Sequence, residues 1–336
     1  MPSAGHSQAS ERRRARVRGE GFVSDTRYGP AMSLPIQPIS LTPSTAAADA
    51  VRRRPRNVSR ALGVLLRNPL ALVGIFILAV VALAGIFASV LFPGDPLAIV
   101  GQPFVWPGTS GAHPLGTDSL GRDVLSGIVH GAGVSLLVGL SATALGLMAG
   151  VGIGAAAGYF GGWTDAVLSR LIEIFQTVPN FVMLIVLVAI AEPSITTVSV
   201  AIAVVTWPTV ARLTRAEFRS IREKEFVMAA RSLGYGHFRI IVSEILPSAL
   251  PPIIVTASVM VASAILTESA LSFMGLGDPN VVSWGSMIGS GREFLRTAWY
   301  LSALPGVAIM LTVLALNLIG DALNEALNPR TGQDQR

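Results

Sequence analysis

Two carboxylates stand where a carboxylate is costly. Glu173 lies in the apolar run 171–191 and Glu268 in the apolar run 251–272. An ionisable group among aliphatic neighbours can relay a proton, pair with a passing charge or anchor a hydrogen-bond network, and such groups in apolar segments are functional candidates by default. For Glu268, an internal hydrogen bond that packs its own segment is the competing reading. Other chemistries find little support. The four histidines (His6, His113, His130, His237) share no metal-ligand spacing, so no metal site is read. Neither Gly-x-Ser-x-Gly nor His-Glu-x-x-His occurs, so no catalytic residue is assigned. The one lysine, Lys224, sits between Glu223 and Glu225, which excludes a Gly-Lys-Ser/Thr phosphate loop. Cysteine is absent, so disulfides and thiolate chemistry are excluded.

The elements around these residues are set by composition. Of 336 residues, 51% are hydrophobic and only 13% charged, with a mean hydropathy of +0.60. Soluble domains carry about 25% charged residues. The expected fold is therefore an all-α integral membrane protein. Six apolar runs near 69–92, 134–158, 171–191, 195–210, 251–272 and 301–319 match or approach the roughly 20 residues that cross hydrocarbon, the fourth being short and needing polar flanks to complete it. They are continuously apolar rather than alternating, which argues for helices and against a barrel. Residues 1–60 have no apolar periodicity and read as a disordered tail, with Met32 as an alternative start, and 331–336 as a short C-terminal tail. The basic stretch 11–19 could contact anionic lipid or nucleic acid, but a solvated tail with no specific partner is the expected reading, and for the chain as a whole membrane lipid, not nucleic acid, is the expected partner.

Arginine placement orients the chain. Arg52, Arg53, Arg54, Arg56, Arg60 and Arg67 precede the first run, and seven basic residues from Arg212 to Arg239 lie between the fourth and fifth. The outer loops hold far fewer. The positive-inside tendency then places both termini and the 212–248 loop in the cytoplasm.

That loop contains "EFVMAARSLGYGHFRIIVSEILP", residues 225–247. Phe226, Ala230 and Leu233 recur at i, i+4 and i+7, one apolar face of a short helix. Gly234 or Gly236 can end it in a left-handed conformation. The segment either lies on lipid or docks into a partner's groove. A second pattern is the stripe Gly146, Gly150, Gly154 and Gly158. Glycines four apart share one helix face and allow close helix packing, within this chain or at a contact that slides.

The run from Ala229 and Ala230 to Gly234, followed by Leu246 and Pro247, resembles the EAA loop of ABC-transporter membrane subunits. Met228 stands where that family usually has glutamate, and Glu244 where it often has isoleucine. "HPLGTDSLGRDVLSGIVHGAGVSLLVG" (113–139), "GYFGGWTD" (158–165), "TESALSFMGLG" (267–277), "SWGSMI" (283–288) and "NLIGDALNEALNPR" (317–330) resemble the C-type permease of dipeptide, oligopeptide and nickel importers. Gly133 replaces that family's usual arginine.

The resemblance covers about residues 60–330, which makes 61–330 an importer transmembrane domain in a bacterial inner membrane. It implies a homologous B-type permease, one or two ATPase subunits that hold ATP and Mg, and an extracytoplasmic substrate-binding protein. Phe226, Met228, Ala229, Ala230, Leu233, Gly234, Leu246 and Pro247 would couple to the ATPase, and Glu173 and Glu268 are candidates for the translocation path. Peptide cargo is expected, with a nickel or metal-chelate importer as the alternative and a passive channel as the rival class.

Overall fold

The structure, a computed structural model, describes residues 63 and 67–327. The tails read over 1–60 and 331–336, and the arginines before Arg67, lie outside the described residues. Among those residues the secondary structure is helical apart from the isolated bridge Thr117↔Asp123. The helices are α1 (Pro69–Ile86), α2 (Ala88–Leu91), α3 (Val124–Phe160), α4 (Gly162–Thr177), α5 (Asn180–Ile190), α6 (Ile195–Arg222), α7 (Glu225–Ser232), α8 (His237–Phe273), α9 (Trp284–Gly291) and α10 (Tyr300–Leu327), with a 3-10 turn at Arg292–Phe294.

Five of these, α1, α3, α6, α8 and α10, are long and apolar enough to cross a membrane, and the pair α4–α5 makes a sixth if read as one broken span. The run 171–191 is thus not one straight helix. It divides into α4 and α5, bent by 82°. Proline explains the break: the residue before a proline is pushed out of helical geometry, and Val178 adopts ψ 132 ahead of Pro179. The fourth run continues beyond 210, because α6 carries its helix on to Arg222.

Local chemistry sets the starts. The Asn68 side chain accepts hydrogen bonds from the Leu70 and Ala71 amides, with Pro69 at the first helical position. Asp123 does the same for Leu125 and Ser126 at α3 and pairs with His113 at 2.9 Å. Asp123 of the 116–123 turn is thus held by His113 rather than by the neighbouring arginine. Arg122 forms no salt bridge among the described residues, and its Nε is buried without a partner.

The bundle is organised by α3, which packs on α6, α8 and α1, while α10 packs on α1 and α8. The glycine stripe faces α6 of the same chain. A Cβ added at Gly150 would lie 2.5 Å from the Val210 Cβ, one at Gly154 would lie 2.8 Å from the Thr214 Cβ, and one at Gly158 would lie 2.7 Å from the Phe218 Cβ. Gly146 stands over Thr206 in the same line. In lipid, where burial of apolar surface gives no drive between helices, this backbone-to-backbone fit is what holds α3 on α6. Gly133 lies where α1 crosses α3. There a Cβ on Gly85 would come within 2.7 Å of the Gly133 nitrogen, so the crossing is made by two glycines.

Candidate functional site at one end of the bundle

The segment 225–247 forms α7, a tight stop and the first turns of α8. Glu225 in the first turn and Arg231 in the last suit the helix dipole. The stop is a Schellman motif. The Tyr235 amide donates to the Ala230 carbonyl at 3.1 Å, the Gly234 amide donates to that of Arg231 at 2.9 Å, and Gly234 has φ +78. Gly236 is instead extended and starts α8, whose turn over Ile240–Ile245 widens to π geometry.

We expect Gly234→Ala to cost about 1 kcal/mol of stability, since an L side chain is strained at positive φ. Gly234→Pro should cost more, because it also removes an amide that is bonded. Thermal midpoints of the two purified variants check the order.

The inward face of α7 is built from Val227 and Ala230, both buried, with Phe226 packed beside them. They meet Ala155 and Tyr159 of α3, Phe218 and Ile221 of α6, and Ile240, Ile245 and Ala249 of α8, and Leu246 packs against the same cluster. Here the face expected from sequence needs correction. Phe226 and Ala230 belong to it, but Leu233 is 72% exposed. The helix ends at Ser232, so Leu233 lies past the last turn, where nothing covers it. Val227, fully buried, takes the place assigned to Leu233. Ala229 and Pro247 are exposed as well.

The outward side therefore carries Met228 (49% exposed), Leu233 and Phe238 (80% exposed). Met228 adds apolar surface where the EAA pattern has a carboxylate. Phe238 was missed by the helical-face reading because it lies beyond the glycine stop. Polar contacts pin the segment to the spans. The Tyr159 hydroxyl and His237 Nδ1 are 2.9 Å apart, Arg222 donates to the Tyr159 carbonyl at 3.0 Å, and the Arg239 guanidinium sits 4.0 Å from the centre of the Tyr235 ring. Nearby, Arg215 of α6 makes a two-point salt bridge to Asp165 of α4. The α7 segment is thus packed against α3, α6 and α8 together.

The two carboxylates of the apolar runs do not meet. Glu173 is exposed on α4 and pairs with Arg170 at 2.7 Å. Glu268 is buried (3% exposed) and accepts from the Ser272 hydroxyl at 2.7 Å, with longer contacts from Ser135 and Ser269 at 3.4 Å. Ser135 in turn accepts the Trp284 amide at 3.4 Å, so Glu268 links α8 to α3 and to the start of α9. The void beside Glu268 is about 10 Å³, the space of one water.

A larger cavity of about 450 Å³ lies between α5, α6 and α8. Its polar lining is Asn180, Thr206, Thr209, Thr256, Ser263 and Thr267, and neither carboxylate belongs to it. The sequence did carry a signal for it. Thr256, Ser263 and Thr267 are seven and four residues apart, on one face of an apolar helix.

Residues 150–333 match the family described as binding-protein-dependent transport system inner membrane component. The chain is 41% identical over 265 residues to the dipeptide transport system permease protein DppC of Alkalihalophilus pseudofirmus, covering 79% of this chain and 87% of that protein. The chain belongs to this family of inner membrane transport components. It is also 35% identical over 297 residues to the probable D,D-dipeptide transport system permease protein DdpC of Escherichia coli, covering 88% of this chain and 99% of that protein. With the glutathione transport system permease protein GsiD of Pectobacterium atrosepticum it shares 36% identity over 258 residues, 76% of this chain and 85% of that one. A chain of the methionine ABC transporter MetNI, in an inward-facing conformation, has the same fold. The TM-score is 0.50 at 16% identity, over 60% of this chain and 96% of that one. The chain therefore shares its helical core with that transporter chain.

Proposed function

We propose that the chain is the membrane-spanning subunit of an ATP-driven importer of di- and oligopeptides. It pairs with a homologous permease, and partner ATPase subunits bind ATP and Mg. A substrate-binding protein delivers cargo from the outer side. The observation that carries this reading is α7, a short helix whose inner face is packed on three spans and whose outer face offers Met228, Leu233 and Phe238. Such a face fits a partner's groove. A passive channel has no use for it. The chain itself holds no phosphate loop, so the driving nucleotide belongs to the partner that α7 meets.

Relatives named for dipeptides and glutathione favour peptide cargo over nickel chelates. The arginine pattern supports cytoplasmic termini, with α7 on the same side. Asp165, bound to Arg215 beside α7, helps keep that end of the bundle rigid.

The test is co-purification from cells expressing the whole transport gene cluster, followed by ATPase assay with and without peptide-loaded binding protein. Recovery of a second permease and ATPases, with hydrolysis stimulated by the loaded binding protein, is the expected result. A chain that purifies alone and leaves ATPase unstimulated would overturn the reading.

A further inference from the structure

We propose that the cavity between α5, α6 and α8 is this chain's share of the cargo route, and that its uncharged wall receives the main chain of an extended peptide whatever its side-chain charge. The proposal rests on the peptide-importer reading above. Three observations point to it.

The first is the lining. Thr206 and Thr209 of α6 and Thr256, Ser263 and Thr267 of α8 place hydroxyls along one wall, and Asn180 adds an amide at the start of α5. The hydroxyls of Thr206, Thr256 and Thr267 donate to carbonyls of their own helices, at Ile202, Pro252 and Ser263. Their donors are committed, so what they offer inward is acceptor lone pairs. Peptide amides and an amino terminus are donors, which is the complementary chemistry.

The second is the broken span. Val178 and Pro179 leave the helix between α4 and α5, and α5 begins at the cavity with Asn180 and Phe181. Non-helical backbone at membrane depth persists only where protein covers it or where it lines a water-filled cavity. This chain does not cover it, since Val178 and Phe181 are 42% and 44% exposed. Asn180 and Phe181, which follow the break directly, line the cavity, so a water-filled cavity is what would satisfy the exposed backbone there.

The third is charge. No Asp, Glu, Lys or Arg lines the cavity. Glu268 is enclosed by serines, and Glu173 is paired on α4. At membrane depth even one fixed charge would favour peptides of opposite sign and hold them. A neutral wall binds weakly and without regard to sign. Its volume of about 450 Å³ falls within the roughly 300–1,000 Å³ of small-molecule sites.

The chain's lack of cysteine makes the test direct. In the intact complex in proteoliposomes, Thr256→Cys and Ser263→Cys are treated with a charged, membrane-impermeant methanethiosulfonate. Val80→Cys on α1 and Leu314→Cys on α10, both outward-facing, serve as references. The cavity positions should label at least about tenfold faster than the references, a difference of about 1.4 kcal/mol in access. In a second measurement, Ser263→Asp should change the uptake ratio of lysine-containing to glutamate-containing dipeptides by about tenfold relative to the unsubstituted complex. Both are read in preparations whose ATPase responds to loaded binding protein. A response with equal labelling, or with an unchanged uptake ratio, overturns the route or its charge indifference and leaves the importer reading standing. No ATPase response in the unsubstituted complex overturns the importer reading, and this proposal with it.

Discussion

Replacing both Leu233 and Phe238 with aspartate should abolish transport while leaving the membrane bundle intact. The two side chains are 72% and 80% exposed, so neither supports the fold of this chain. They are the largest apolar groups on the outer side of the α7 segment. If they seat in an ATPase groove, two carboxylates would be desolvated there without partners. Anchor residues of this kind contribute about 2–4 kcal/mol each at interfaces. The expected result is loss of ATPase recovery on purification, or loss of stimulation by loaded binding protein, with an unchanged thermal midpoint for the membrane subunit pair. Val227→Asp provides the contrast. Val227 is fully buried in the cluster under α7, where an unpaired charge cannot be accommodated. It should prevent accumulation of the chain altogether. If the surface pair transports normally, the coupling role of this segment is wrong. If it fails only because the chain does not accumulate, those residues are structural.

The second large effect is expected at the glycine face of α3. Gly150→Leu would drive a side chain into Val210 and the Trp207 carbonyl, both within 3 Å of the first added carbon. Overpacking costs typically 1–3 kcal/mol where neighbours can shift. Here part of what is struck is helix backbone, so the cost should reach or exceed the upper end. The variant should be recovered at much lower levels from membranes and should unfold at lower temperature in detergent. Gly152→Leu, where a Cβ meets nothing within 4 Å, should be tolerated in the same assay. Equal loss at both positions would mean that helix propensity, not the α3–α6 fit, is responsible. Gly158→Leu adds a further readout. A Cβ at Gly158 meets the Arg215 carbonyl at 2.6 Å and the Phe218 Cβ at 2.7 Å, so its leucine variant should lose stability as Gly150→Leu does.

Much of this was legible in the sequence, for identifiable reasons. Apolar runs of spanning length persist because hydrocarbon offers backbone groups no hydrogen-bond partner, so each span must satisfy itself as a helix. Motifs with fixed backbone requirements were equally plain. Gly234 at a helix stop and glycines four apart in α3 each admit few conformations, and the structure places them accordingly. The break after Val178 was written in Pro179, although the run of aliphatic residues around it reads as one span.

What escaped the sequence depended on neighbours distant along the chain. Whether Leu233 or Val227 faces inward is decided by where α3, α6 and α8 stand around α7, and the helix ends one residue before Leu233 could join that face. Glu173 and Glu268 looked alike as carboxylates in apolar runs. Only packing made one a surface ion pair and the other the centre of a serine cluster joining α8 to α3 and α9. The hydroxyls of the cavity lie on α6 and α8, some fifty residues apart in sequence, and become one wall only when the two helices are side by side. By itself the sequence determined that this is a helical membrane component with a short glycine-stopped helix between its fourth and fifth apolar runs and no nucleotide loop, because length, apolarity and motif are local properties. Which side chains are inside, outside or along a path was decided by tertiary structure alone, because those are properties of surfaces that no single helix possesses.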